Sequence, residues 1–491
     1  MHFVRRSLVV ITSFLSAIAA VAHCSSIQCI PMTSEEVIDF QYETEKAFDQ
    51  AIEGLIALSD EQKNVESVLR PWSRLSNEIV ERFTVLTFLT YSELPCFRVA
   101  EGAMEDLLDD LSVSIIHNES LVHSFIALAN NALAEGSEIS PYDCHCLHSV
   151  LASCENISGF LSSEDDMEID RLINLCEQRE RIPYRYLKGQ SSEKVAQSGS
   201  EFTVLNLNTC FVPSRYPYLF GGVLLPWQER VAALADKILS VDADVVCLQE
   251  VHAEDASDAL FELLKDRYSH FYTAIGPRVL GFSLESLGLP SGLFVASKYP
   301  IESPQFTLFS LSGVQMNYGF FDFLISNGKD PMGHIYTTHM QSLKYHQFEE
   351  IRAAQLSQIL EKMQSDAKAD DRKVPFFLCG DFNIPFGWGE PGSALIDDNF
   401  TDDYNRERAE VNGANRTCTD YFTNHFFSPT KIRDEIDPYF QIIDYALLHR
   451  SLGSSGYEIK TVQVPMNDLD QPETALSDHH GLLTTVRLKQ E

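Results

Sequence analysis

The chain has 491 residues, 44% of them hydrophobic and 22% charged. That is more than one hydrophobic core usually supports, so two or more domains are expected. Its net charge of −34 is shared equally, −17 in residues 1–200 and −17 in the rest. An evenly acidic protein repels a phosphate backbone, whose binding relies on Lys and Arg, so stable nucleic-acid binding is not expected.

The N-terminus has Arg5 and Arg6, then an apolar run from Leu8 to Ala22 with Ala20 and Ala22 flanking Val21. This matches the charged start, short apolar core and small-residue cleavage site of a secretory signal peptide over residues 1–22. The run is too short for a comfortable membrane span. A secreted or exported protein is expected.

Residues 23–195 read as a helical domain of unassigned role. In "SEEVIDFQYETEKAFDQAIEGLIAL", Val37, Phe40, Phe48, Ile52 and Leu55 recur near the helical period with acids between them. Similar patterns cover 62–91, 99–115, 119–134 and 143–161. Cys144, His145, Cys146 and His148 lie too close together for a zinc ligand pair. A local disulfide or free thiols is the expectation there. The polar, Ser- and Gly-containing stretch 186–202 reads as the domain boundary.

From about residue 200 to 491 the period changes. Strand-length apolar runs ("FTVLNL", "DVVCLQEV", "SGLFVASKYPI", "FFDFLI", "GHIYTTHM", "VPFFLCGDFN", "QIIDYALL", "GLLTTVRL") alternate with helical stretches at 226–240, 256–266 and 346–364. Runs apolar on both faces predict central strands of stacked sheets covered by helices, an α/β fold. Cys247 and Cys379 sit inside such runs and read as buried free thiols.

Each run meets polar residues at one end. Asn206 and Asn208 lie two apart, on one strand face. Glu250 follows "VVCLQ", His339 ends "YTTH", Asp381 and Asn383 follow a glycine, Asp444 sits between isoleucines and a tyrosine, and Asp478 and His479 precede the last strand. Any one has a structural explanation, such as a turn or a cap. Together, at corresponding strand ends, they predict one assembled site. Glu250 with amide oxygens suits Mg²⁺ or Mn²⁺ better than zinc. Two imidazoles beside carboxylates supply acid–base chemistry, with Asp444 placed to orient His479. No Ser or Cys stands in a nucleophile elbow, so water is the expected attacker in metal-assisted hydrolysis of a phosphate ester.

The ordered set "LNLNT", "VVCLQEV", "SGLFVASKYPI", "TTHMQS", "GDFN", "IDYALL" and "SDHHG" resembles the endonuclease/exonuclease/phosphatase superfamily, the DNase I-like fold. The resemblance spans about residues 202–488 and is closest in texture to neutral sphingomyelinases. It implies a four-layer α/β sandwich, preceded here by the all-α domain, and a Mg²⁺- or Mn²⁺-dependent phosphodiesterase. By the same resemblance Glu250 is the main metal ligand, with Asn206 and Asn208 the first-strand ligands. His479 is the base supported by Asp444, with Asp478 the acid beside it. Asp381 and Asn383 orient water and phosphate, and His339 serves the leaving group. His480 matches no catalytic position.

The implied substrate is a phosphodiester, foremost a membrane phospholipid. The segment 278–290, with Leu280, Phe282, Leu284 and Leu287, reads equally as a loop touching a membrane surface transiently or as a local helix. "VQMNYGFFDF" lacks the Lys-Gly that many sphingomyelinase-like sequences show. A DNase-like nuclease, a phosphoinositide phosphatase (whose typical "CDR" near Asp444 is absent) and an inactive binding protein are the alternatives.

Overall fold

The computed structural model describes residues 119–134, 136–155, 162–194, 201–211, 225–277, 286–312, 315–342, 346–369, 373–386, 389–404, 442–454, 456–466 and 474–489. The expected signal peptide and the helical patterns at 33–58, 62–91 and 99–115 lie outside the described residues. The chain divides into two compact units. One comprises Met1–Pro183, Pro277–Pro290 and Val314–Met316; the other comprises Tyr184–Gly276, Ser291–Gly313 and Asn317–Glu491.

In the first unit, helices α1 (Glu119–Leu133) and α2 (Pro141–Glu155) fall on the helical patterns at 119–134 and 143–161, and α3 (Ser163–Glu177) follows them inside the region read as helical. Ser162 caps α3 by accepting the Asp165 N–H, ahead of an acidic first turn that suits the helix dipole. Val122, Phe125 and Leu128 of α1, Leu147, Val150 and Leu151 of α2, and Ile169 and Leu172 of α3 are buried. The strand β5 (Ser286–Leu289) pairs in parallel with β8 (Gln315–Met316) in the same unit. The end of the segment 278–290 is therefore a strand and not a helix. Leu280, Phe282 and Leu284 lie outside the described residues.

The second unit is built on two mixed sheets. The first runs β1 (Arg185–Lys188), β4 (His270–Thr273), β6 (Phe294–Ser297), β3 (Val245–Val251), β2 (Phe202–Phe211), β15 (Gly481–Leu488) and β14 (Tyr457–Val464). The second runs β12 (Phe400–Thr401), β13 (Asp444–His449), β11 (Phe376–Asp381), β10 (Pro331–His339), β9 (Gly319–Ser326) and β7 (Ile301–Leu308). Strand β1 falls inside the stretch read as a linker, and it pairs with β4 through Tyr186 and Tyr272.

Alternation along β2 sorts its side chains between two layers. Leu205 and Leu207 join Val246 and Leu248 of β3 in a core with Leu234 and Ile238 of α4 (Trp227–Val241) and Leu260 and Leu264 of α5 (Glu254–Leu264). Asn206 and Asn208 point the other way, toward the second sheet, where Asn208 bonds Asp381. The outer face of that sheet meets α6 (His346–Ala369), which packs in turn on α7 (Pro391–Asn399). Helices, sheet, sheet, helices: the unit is an α/β sandwich of the predicted kind. The strands between the layers are nearly all buried, which is why they read as apolar runs.

The connectivity decides where a site forms. β2 runs parallel to β3, and β10 parallel to β11, so the C-terminal ends of each pair share an edge. β13 is antiparallel to β11 and β15 to β2, so these two strands begin at that edge. Polar residues at the ends of some strands and the starts of others thereby become neighbours.

Candidate metal-assisted active site

Gly380 makes the first close approach. A Cβ there would stand 2.1 Å from the Thr338 carbonyl oxygen, so only glycine lets β11 deliver Asp381 beside His339. Asp381 then sits opposite Asp444 in the β11–β13 register. Cys210, Glu250 and Asn383 all adopt positive φ, near +50° to +60°, without being glycine. Left-handed backbone at a non-glycine residue costs energy and persists where its surroundings impose it. Three such residues at three strand ends belong to the same site.

Its centre is a network of carboxylates and imidazoles. The Asn208 amide nitrogen donates to Glu250 Oε1 at 2.9 Å and to Asp381 Oδ2 at 3.0 Å. Asn208 Oδ1 accepts the Cys210 N–H at 3.0 Å, so the amide presents its NH₂, not its oxygen, to the two acids. His339 Nε2 lies 3.9 Å from Glu250 Oε1 and 3.7 Å from Asp381 Oδ2. His479 is gripped by Asp444, Nδ1 to Oδ2 at 2.8 Å, and its Nε2 lies 3.9 Å from Asp381 Oδ2. The Asn383 N–H donates to Asp381 Oδ1 at 2.9 Å, and its amide donates to the Met340 carbonyl at 3.2 Å.

Asn206 is one step deeper. Its Oδ1 accepts from Gln249 Nε2 at 2.9 Å, and its buried Nδ2 has no hydrogen-bond partner among the described residues. Asp478 is half-buried beside His479 and raises the pKa of both Glu250 and Cys210. His480 faces away: its Nδ1 accepts the Met466 N–H at 3.2 Å.

The electrostatics follow from crowding acids in a dry place. Burial, then the Asp478 charge, pushes the Glu250 carboxyl up to about 7. Burial, then the Asp444 charge, pushes Asp381 up to about 7. Burial, helped by His252 and His479, takes His339 down to about 3, so its imidazole is neutral. Among the described residues no Lys or Arg lies within ion-pair distance of Glu250 or Asp381. These acids are thus left without a directly paired cation among the described residues. Glu250, His339 and Asp381 offer ligand atoms within 4.8 Å of one another, and Asp381, Asp444 and His479 form an adjoining group. Carboxylates whose charge is disfavoured by burial and by neighbouring acids suit a hard dication such as Mg²⁺ or Mn²⁺. At Cys144–His148, by contrast, no metal-holding group occurs among the described residues.

Three supporting residues escape a reading of the sequence. Arg230, on α4, is buried and donates to the carbonyls of Leu225 (2.6 Å), Thr209 (3.0 Å), Cys210 (2.6 Å) and Leu476. It thereby ties the end of β2 to the segment leading to His479. Ser477 makes a second tie, donating to the Asn208 carbonyl at 2.6 Å and accepting the His479 N–H at 3.1 Å. His252 is buried against Gly292, where a Cβ would stand 2.5 Å from its ring. Its place two residues after Glu250 was the available signal.

Solved structures similar to the chain include truncated TDP2 from Caenorhabditis elegans (18% identity, TM-score 0.44, covering 59% of this chain and 98% of that one). SmcL (22%, 0.42, 59% and 99%) and sphingomyelinase C from Streptomyces griseocarneus (20%, 0.38, 58% and 99%) are also similar. No curated protein matches the chain. The model of the Endonuclease/Exonuclease/phosphatase family matches residues 205–479, from the strand that carries Asn206 to His479 itself, and the chain belongs to that family.

Proposed function

We propose that the chain is a metal-dependent phosphodiesterase that cleaves a phosphate ester by attack of water, with a membrane phospholipid of the sphingomyelin kind as its substrate. The observation that carries the chemistry is the Asp444–His479 pair, with the distal nitrogen of His479 facing the acids that would hold the metal. The 2.8 Å bond from Asp444 fixes the tautomer of His479, leaving Nε2 to accept a proton from water. Glu250 and Asp381, with Asp478 beside them, would hold a Mg²⁺ or Mn²⁺ ion, which neutralises phosphate charge when bound. His339, neutral, would donate a hydrogen bond toward the leaving oxygen. Asn208 would steady both acids, and Asn383 would keep Asp381 in register.

The lipid substrate rests on the sphingomyelinase-like motif order and on the net charge of −34, which disfavours nucleic acid. We also propose that residues 1–22 direct export and that the helical region before Tyr184, where the second compact unit begins, is a separate domain.

Hydrolysis of sphingomyelin, phosphatidylcholine, plasmid DNA and inositol phosphates, each with Mg²⁺ and with EDTA, tests the reading. Release of phosphocholine from sphingomyelin, stopped by EDTA, is expected. Preferential cleavage of DNA, or phosphomonoester hydrolysis of inositol phosphates, would replace the substrate class. Activity indifferent to EDTA would overturn the metal.

A further inference from the structure

The helical unit holds two thiols that the proposed reaction does not use. Cys144 stands in the first turns of α2 and Cys176 in the last turn of α3, and both are buried. The Cys144 thiol donates to the Cys176 carbonyl at 3.8 Å, which sets the two cysteines against each other. The surrounding backbone holds these helix ends together: the Ile182 N–H donates to the Pro141 carbonyl at 3.1 Å. We infer that Cys144 and Cys176 form a disulfide by exchange with a small-molecule disulfide such as oxidised glutathione, clamping α2 to α3.

The chemistry has an assigned order. The bond from Cys176, then the charges of Arg179 and Arg181, lower the Cys144 thiol to about 7, and the first turns of a helix favour a thiolate. Cys144 is therefore the attacking sulfur. It displaces one glutathione thiolate and forms a mixed disulfide. Cys176, whose thiol is raised by its bond to Cys144 and by burial, loses its proton and attacks the Cys144 sulfur, releasing the second glutathione. Two protein thiols and one disulfide become one protein disulfide and two glutathione thiols, the two protons passing to the departing thiolates. Both sulfurs lie in terminal turns, where helices fray and a reagent gains entry without unfolding the unit.

The molecule carries its own controls. Cys247 and Cys379 are also neighbours, but both lie fully buried in central strands, and burial raises Cys379 well above its ordinary value. Cys154, further along α2, is pushed up to about 12 by burial. Cys154 and Cys379 lack the acidity, and Cys247 and Cys379 lack the position at a helix end.

The full-length protein would be incubated with oxidised glutathione at mildly alkaline pH, quenched with acid, unfolded in iodoacetamide and mapped by peptide mass. The expected map shows the Cys144 and Cys176 peptides joined and lighter by two hydrogens, with Cys154, Cys247 and Cys379 alkylated. In the Cys176→Ser protein, Cys144 should retain one glutathione as a stable adduct. Alkylation of both Cys144 and Cys176 after saturating oxidant would overturn the inference, as would a link from either to Cys146 or Cys154. If the serine variant fails to fold, the wild-type map decides alone. None of these outcomes depends on hydrolytic activity.

Discussion

Strand β10 carries an acid–histidine cluster on each of its two faces, and the two are solved differently. On the face toward α6, His334 meets Asp322 at 3.2 Å and Asp366 at 4.0 Å, and the Lys362 ammonium sits 2.6 Å from Asp366 and 3.6 Å from Asp322. Tyr336 adds a bond to Asp366 at 2.6 Å. On the face toward the first sheet, His339 meets Glu250 and Asp381, and among the described residues those acids accept hydrogen bonds from the amide of Asn208 and a backbone N–H. Both triads have donor atoms close enough to hold an ion. One holds a lysine within ion-pair distance of its acids; at the other, no Lys or Arg among the described residues comes so close to Glu250 or Asp381. A cluster of metal-ligand residue types is expected to take up an ion where the protein withholds the countercharge.

The largest consequence concerns the second face. His479→Ala should lose roughly 10²–10⁴-fold in kcat on every substrate, the usual cost of removing a general base. Equivalent changes on the α6 face, such as His334→Gln, should leave kcat near wild type. A comparable loss from His334→Gln would erase the distinction between the two faces.

His339 sharpens the role of the neutral imidazole. Since burial takes it down to about 3, it is uncharged through the working range, and in the proposed mechanism it would act as a hydrogen-bond donor. His339→Ala should therefore cost much more on a lipid diester than on a nitrophenyl diester, whose leaving group needs little help. Equal losses on both substrates would remove the leaving-group role.

A third consequence is a pH-dependent stability of the metal-free protein. Glu250 and Asp381 titrate near 7 when folded and at their ordinary 4.5 and 3.8 when unfolded. The fold then binds more protons than the unfolded chain, so this contribution is present below about pH 4 and is lost as pH rises through about 7. Tm in EDTA should fall across that window, and the rise in Tm on adding Mg²⁺ should grow with pH. A magnesium effect that is flat from pH 5 to 8 would contradict the crowding of acids.

The smallest effect belongs to the α6 face. Lys362→Met leaves the buried Asp322 without its ammonium and should cost about 1–3 kcal/mol of stability, read by denaturant unfolding, without loss of kcat. A neutral result would mean that His334 and water satisfy the acid.

Much of this was legible before the fold, for one physical reason. A strand buried on both faces must be apolar, so "VVCLQEV" and "FFLCGDFN" announce both the strand and the exception at its end. Asp444 and His479 were readable as a pair because neither an acid nor an imidazole is tolerated unpartnered in such surroundings. Other features depend on the tertiary structure. β1 is drawn from a polar segment and exists because β4 offers it an edge. Arg230 looks like an ordinary surface residue of an amphipathic helix until four carbonyls converge on it. The direction of the Asn208 amide is set by the Cys210 N–H on one side and two acids on the other, and no spacing encodes it.

Calorimetric titration of Mn²⁺ into the full-length protein tests the central claim most directly, with the Glu250→Gln and Asp322→Asn variants beside the wild type. One strong site should appear in the wild type, survive in Asp322→Asn and vanish in Glu250→Gln. Binding that persists in Glu250→Gln, or disappears in Asp322→Asn, would place the ion on the wrong face of β10 and contradict the account.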